Sequence, residues 1–325
     1  MEFPEGSDDV FDLGNRHQQG ARCHGATLGG PATSRHLVSI DQDGTMSDAL
    51  DFLVTLLDLE QIEENIFRGI QPGEDRQRVF GGQVAAQALM AAGRTVDTGN
   101  VHSLHSYFLR PGDPKIPILY DVDRIRDGKS FTTRRVVAIQ HGRAIYNMEA
   151  SFHVHEESIE HQFDMPTVPE PESLPTLRER IEAAGLENDE WFGRNHPIDQ
   201  RWIGEAPWGP TRSKAPYQQL WIRADGELPD DQLIHSCVAT YASDMSLLDT
   251  VIRPHDVHWD DGHFMAASLD HCMWFHREFR VDDWLLYDTD SPVAHGARGL
   301  ARGFLYDRSG RLCVSLIQEG LTRVI

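Results

Sequence analysis

The chain has 325 residues, with 30 lysines and arginines against 51 aspartates and glutamates, a formal net charge of −21. So negative a surface repels a nucleic acid, whose capture needs clustered cations that displace its counterions. The 40% apolar fraction supplies a globular core, and the length suits two domains of ordinary size.

Residues 1 to 45 hold seven glycines and little periodic apolar pattern, and they are predicted to be a poorly ordered extension. Their acidic start, Met1 to Asp9, is unlike a secretory signal. No run reaches the roughly 18 apolar residues that cross a bilayer; the nearest is Val84 to Ala92. The four cysteines, Cys23, Cys237, Cys272 and Cys313, are scattered and contain no Cys-x-x-Cys. A cytoplasmic protein without structural disulfides or zinc is the expectation.

At Met46, a candidate initiator, the character changes, and Ala49 to Leu57 carries a helical apolar stripe. Four anchors then occur twice in the same order. Ile66-Phe67-Arg68-Gly69 returns as Trp221-Ile222-Arg223-Ala224, Val79 to Ala86 as Leu233 to Thr240, Ser103-Leu104-His105 as Ser268-Leu269-Asp270, and His141 to Ile145 as Ser309 to Cys313. Their separations grow from about 155 to 168, as loop insertions in a second copy would produce.

Each copy is predicted to hold a short strand or two, one buried helix and a run of strands. The helices are predicted over Gly82 to Arg94 and Gln232 to Val251. The first-copy strands are split by turns at Arg110 to Pro114, Arg126 to Lys129 and Gln140 to Arg143. Those of the second copy fall near Ala266 to Arg277, Trp284 to Asp290, Ala297 to Tyr306 and Leu312 to Val324. The expected domains are 46–157 and 199–325. Residues 158–198, with Pro166, Pro169, Pro171, Pro175 and a helical Leu177 to Ala184, form a linker.

Several blocks resemble the acyl-CoA thioesterase II family. They are Phe67-Arg68-Gly69, Val79-Phe80-Gly81-Gly82-Gln83, His102 to Asp113, Tyr241-Ala242-Ser243-Asp244, Leu269 to His276 and Gln318-Glu319-Gly320, in family order from about Met46 to the C-terminus. The resemblance implies an α+β double hotdog, two helices each wrapped by antiparallel sheet, with the sheets continuous across the pair. It also implies hydrolysis of fatty acyl-CoA thioesters to the free acid and coenzyme A; medium- or long-chain substrates and no cofactor are the expectation.

By motif, the family's catalytic aspartate falls on Asp244, its hydroxyl on Ser268, where many relatives carry threonine, and its amide on Gln318. Subtracting the repeat separations (244 − 154, 268 − 165, 318 − 168) leads to Met90, Ser103 and Ala150 in the first copy, so one site per chain is predicted. A thioester is an activated acyl group, and its hydrolysis needs an oriented water, a base and donors for the oxyanion. The amino end of the first helix, near Gly81, Gly82 and Gln83, is a candidate donor.

An acidic enzyme needs a local cationic patch for the phosphates of coenzyme A. Arg134, Arg135, Arg298 and Arg302 are the candidates.

His102, His105 and His276 are weaker candidates as bases, with His102 and His105 expected on opposite strand faces. His153 and His155 are weak metal-ligand candidates, and His255 to Asp260 fits an acyltransferase spacing without further support. The alternatives are a hotdog enoyl-CoA hydratase, whose chemistry wants an Asp/His pair, and a non-catalytic acyl-CoA binding protein. Homo-oligomerisation stays open.

Overall fold

A computed structural model of the chain describes residues 47–71, 77–187, 195–208, 214–259 and 261–325. Residues 1–45, Met46 and Asp260, for which the sequence carries expectations above, lie outside the described residues. The first helix, α1 (Asp48–Leu57), begins where Ser47 Oγ accepts the Leu50 amide at 3.2 Å. It buries Leu50, Leu53, Leu56 and Leu57, one face at helical spacing.

Among the described residues, all strands join one antiparallel sheet. The first copy contributes β1 (Glu60–Glu63), β2 (Ile66–Gly69), β3 (Asn100–Phe108), β4 (Ile118–Asp127), β5 (Phe131–Gln140) and β6 (Arg143–His153). The second contributes β7 (Ile198–Ile203), β8 (Tyr217–Ala224), β9 (Phe264–Ser268), β10 (Asp270–Phe275), β11 (Leu285–His295), β12 (Arg298–Asp307) and β13 (Leu312–Val324). The order is β1-β2-β4-β5-β6-β3-β10-β13-β12-β11-β8-β7, with β9 added to β13. Pairing of β3 with β10, through Cys272 opposite His105 and Met273 opposite Leu104, makes the sheet continuous across the two copies.

Two buried helices lie inside, α2 (Gly81–Gly93) in the first copy and α4 (Gln232–Ser243) in the second. Every residue of α2 from Gly82 to Ala92 is buried, so small side chains on all faces are what this position demands. The helices meet closely at Gly93, where a Cβ would lie 2.5 Å from the Leu233 side chain. This is the double hotdog that the resemblance implied.

Two predicted elements are interrupted, and both breaks shape the site. The second helix does not run from Gln232 to Val251: α4 stops at Asp244, and a short α5 (Leu247–Ile252) follows. Ser243 Oγ turns back to the Thr240 carbonyl at 2.9 Å, while the Ser243 carbonyl accepts from Tyr287 Oη at 2.9 Å instead of continuing the helix. The strand predicted over Ala266 to Arg277 is split at Leu269. Ser268 faces Gly320 and Cys272 faces Ile317, so the register slips by one residue there, a bulge.

Between the copies, α3 (Leu177–Ala184) is started by a Thr176/Glu179 capping box and ended by Gly185 in the left-handed region at φ 69°. The segment before it lies on the outer face of the second-copy sheet. Trp221 Nε1 donates to the Pro169 carbonyl at 2.9 Å, Arg308 pairs with Glu170 and Glu172, and Met165, Val168 and Leu174 cover Trp221, Trp284, Leu286, Tyr306 and Leu312.

Candidate active site

The helix end, the bulge and β13 bring three polar groups together. Asp244 is the C-cap of α4, Ser268 ends β9, and Gln318 points inward from β13 and is fully buried. Gln318 Nε2 donates to Asp244 Oδ1 at 2.7 Å, and Ser268 Oγ donates to the same oxygen at 3.3 Å. With its NH2 committed to a carboxylate, Gln318 turns Oε1 the other way, and that oxygen is buried without a protein partner.

The first copy closes the site with the amino end of α2. Its N-cap, Phe80, offers no side-chain acceptor, and Asp244 stands there in trans. A Cβ on Gly81 would sit 2.8 Å from Asp244 Oδ2, and one on Gly82 would sit 2.6 Å from the Tyr241 carbonyl. The two glycines are therefore required by close approach. In the second copy, α4 is capped by its own Asp231, whose Oδ1 accepts the Leu233 amide at 2.9 Å.

Asp244 is enclosed by protein yet keeps part of its surface open to solvent. Burial raises its pKa to about 6, against the opposing pull of the Gln318 and Ser268 hydrogen bonds, the Gly82 amide and the Arg78 charge. No imidazole is among the groups acting on it. His271, from the Leu269-Asp270-His271 motif, is buried beneath: its Nε2 meets Ser243 Oγ at 2.9 Å, and burial lowers its pKa to about 4, which keeps it neutral. Tyr287 and His271 thus brace the residue preceding Asp244, a role no local pattern in the sequence signals.

The bulges set the correspondence of the copies. In the first copy the register slips at His102, between Val101 and Ser103, matching Leu269 and giving an offset of 269 − 102 = 167. The counterpart of Ser268 is therefore Val101, not Ser103. The C-caps of the helices pair Asp244 with Arg94, not Met90. Gln318 matches Ala150, since Ala150 stands opposite Leu104. Nothing of the trio is repeated, not even the hydroxyl.

The other candidates are placed elsewhere. Gln83 is buried and donates to Gln71 Oε1 at 3.3 Å. Of the four arginines assigned to phosphates, Arg134 is only 1% exposed and is consumed by Thr95, the Arg126 and Thr133 carbonyls and Asp127. Arg135, Arg298 and Arg302 stand on the outer face of the sheet, opposite the side that holds Gln318, paired with Asp123, Glu319 and Asp290. Strand alternation excludes them from the site.

The bulge at His102 also corrects the face assignment of the histidines: an extra residue turns His102 outward with His105. His102 bonds Ser151 Oγ at 2.8 Å, His105 packs edge-on to Trp274, and His276 bonds Ser315 Oγ at 2.9 Å. His153 stacks on Phe131 with ring centroids 4.2 Å apart.

Two family profiles match the chain, one described as acyl-CoA thioesterase over residues 191–321 and one as acyl-CoA thioesterase N-terminal domain over residues 71–153. Human acyl-coenzyme A thioesterase 8 is 42% identical over 300 residues, 87% of this chain and 92% of its own length. This chain belongs to the acyl-CoA thioesterase family. The crystal structure of the acyl-CoA thioesterase II TesB2 from Mycobacterium marinum aligns with a TM-score of 0.70 at 44% identity, covering 84% of this chain and 98% of that one. A hot dog fold protein from Alicyclobacillus acidocaldarius aligns at TM-score 0.68 with 17% identity, over 84% of this chain and 98% of that one; that likeness concerns the fold of this thioesterase family member alone.

Proposed function

We propose that the chain hydrolyses medium- and long-chain fatty acyl-CoA to the free fatty acid and coenzyme A, through a water activated by Asp244 and oriented by Ser268 and Gln318. The observation that carries this reading is the convergence of a hydroxyl and an amide on one oxygen of a carboxylate, at the amino end of a buried helix.

The chemistry follows from these groups. Asp244 accepts a proton from water as its oxygen attacks the thioester carbonyl carbon. The buried Oε1 of Gln318 accepts the other water hydrogen, which aims the lone pair. Negative charge develops on the carbonyl oxygen, and the amides at the start of α2 other than that of Gly82, which Asp244 holds, are its donors. Collapse breaks the carbon–sulfur bond; the thiolate leaves with the pair of electrons and is protonated to coenzyme A, and the carboxylic acid carries the water oxygen.

Thiol release from palmitoyl-CoA, followed with a disulfide dye, tests the reading. Free coenzyme A should appear in step with fatty acid. Conversion of an enoyl-CoA to its hydroxyacyl-CoA, or tight binding with no thiol released, overturns it.

The pH profile is expected to report Asp244. A base must be ionised to act, so kcat/KM should rise with pH through an apparent pKa of about 6 and level off above it. A profile with no inflection between about 5 and 7 argues against Asp244 as the base.

Ser268 is expected to serve through its hydroxyl alone. Ser268→Thr should keep activity within about threefold, since only a methyl is added, whereas Ser268→Ala should lose about tenfold or more, the worth of a hydrogen bond to a charged group. Steady-state kinetics of the two variants check this.

A further inference from the structure

The Leu109-Arg110-Pro111-Gly112-Asp113 motif and the His141-Gly142-Arg143 turn play no part in the chemistry above, yet the fold carries both to the start of α2. Val79, just before the N-cap, donates its amide to the Gly112 carbonyl at 2.9 Å. Leu109 and Arg110 donate theirs to the Ile145 carbonyl at 2.9 and 3.1 Å. Gly112 is pressed between them: a Cβ there would meet Val79 and Ile145 at 3.1 and 3.3 Å.

Three arginines distant in sequence are thereby gathered around one edge of the site. Arg78 adjoins Val79, Arg110 lies in the motif, and Arg143 opens β6 beside Ala144; all three are exposed. Arg78 Nη2 donates to the Ala266 carbonyl at 3.2 Å, two residues from Ser268. Arg110 Nη1 donates to the Ala144 carbonyl at 2.7 Å, next to Arg143. Each of these bonds uses one nitrogen of a guanidinium and goes to a neutral carbonyl; Arg78 also acts on Asp244 through its charge, without an ion-pair contact.

Among the described residues none of the three is ion-paired, whereas Arg135, Arg298 and Arg302 each hold a carboxylate. The acid within the motif, Asp113, is occupied by the Lys115 amide at 2.9 Å and His141 Nε2 at 3.1 Å. In a chain of net charge −21, an unneutralised arc of guanidinium groups at the mouth of a site is a selective attractor for a polyanion.

We propose that Arg78, Arg110 and Arg143 bind the phosphate groups of the coenzyme A half of the substrate, so that the pantetheine arm carries the thioester inward to Asp244. This assignment rests on the proposed function, and it replaces the outer-face arginines.

The test is the triple variant Arg78→Gln/Arg110→Gln/Arg143→Gln, compared with the intact protein by calorimetric titration and by hydrolysis. Free coenzyme A and phosphate-free pantetheine are the titrants; dodecanoyl-CoA and dodecanoyl-pantetheine are the substrates. Each lost contact should weaken binding about three- to tenfold, so the triple variant should bind coenzyme A about 100-fold more weakly. Its preference for dodecanoyl-CoA over dodecanoyl-pantetheine in kcat/KM should collapse by a similar factor, because uniform binding is read in KM. Because the Arg78 charge also acts on Asp244, the double variant Arg110→Gln/Arg143→Gln is the control: it should keep its turnover of dodecanoyl-pantetheine, which reports the fold, and still bind coenzyme A about tenfold or more weakly.

Equal losses on both thioesters, or unchanged coenzyme A affinity, would overturn the proposal. The titration remains decisive if the intact protein hydrolyses neither thioester, a result that would overturn the proposed function instead.

Discussion

Asp244→Asn is expected to lower kcat by about 10²-fold or more, the usual cost of removing a general base, and to raise the melting temperature at pH 8. The two effects have one cause. Burial lifts the carboxyl from its ordinary 3.8 to about 6 in the folded protein. As pH rises from about 4 to about 6 the unfolded chain gives up this proton before the folded one does, so stability falls across that window, and the full penalty persists above it.

Asparagine has no proton to lose and matches the shape of aspartate. At pH 8 it should recover about 1 to 3 kcal/mol, which amounts to a few degrees in a chain of this size. Below about pH 4, where the aspartate is neutral in both states, the gain should vanish. Thermal unfolding of the two proteins at pH 4 and pH 8 checks the sign. A variant that retains wild-type turnover, or whose stability relative to wild type does not improve from pH 4 to pH 8, contradicts the role given to this carboxylate.

Gly81→Ala is expected to reduce kcat by about 10²-fold while leaving the fold intact. The added methyl would stand 2.8 Å from Asp244 Oδ2 and 2.9 Å from the Phe108 ring, too close for either. Asp244 is held by Gln318 and Ser268 on its other oxygen, so relief must come from moving the carboxylate away from the start of α2. Displacement of a reacting group by about 1 Å can cost 10²-fold in rate. The circular dichroism spectrum should be unchanged, since alanine favours a helix more than glycine does. Activity within a few-fold of wild type would show that the carboxylate and the helix end do not act as a unit.

Much of this site was legible because its parts lie in local patterns. Through the family resemblance, Tyr241-Ala242-Ser243-Asp244 and Gln318-Glu319-Gly320 imply two members of the trio, and Ser268 is implied by its place before Leu269-Asp270-His271. The sequence offered Gly81 and Gly82 only as part of a donor helix end; their close approach to Asp244 and to the Tyr241 carbonyl is visible only in the structure. The arginines show the opposite case. Arg134 reads as a surface cation, but strand alternation turns it inward and buries it, while Arg110 and Arg143 gain their place only when β6 and the loop after β3 meet. A residue's charge is written in the sequence, whereas the face that carries it depends on register.

The amino-acid pattern alone predicted the duplication and the two buried helices, since small residues on every helical face and strands of alternating burial leave few ways to bury an apolar surface; the trio came with the family resemblance, and the structure replaces its first-copy equivalents Met90 and Ser103 with Arg94 and Val101. The tertiary structure decided what a one-residue slip controls. Bulges at His102 and Leu269 reset which side chains face inward, aligning Ser268 with Val101 and sending His102 outward. The end of α4 at Asp244 likewise depends on Tyr287 and His271, which approach from distant strands. Such bonds span long loops and are stabilised only once the whole sheet has closed, so no window of neighbouring residues can encode them.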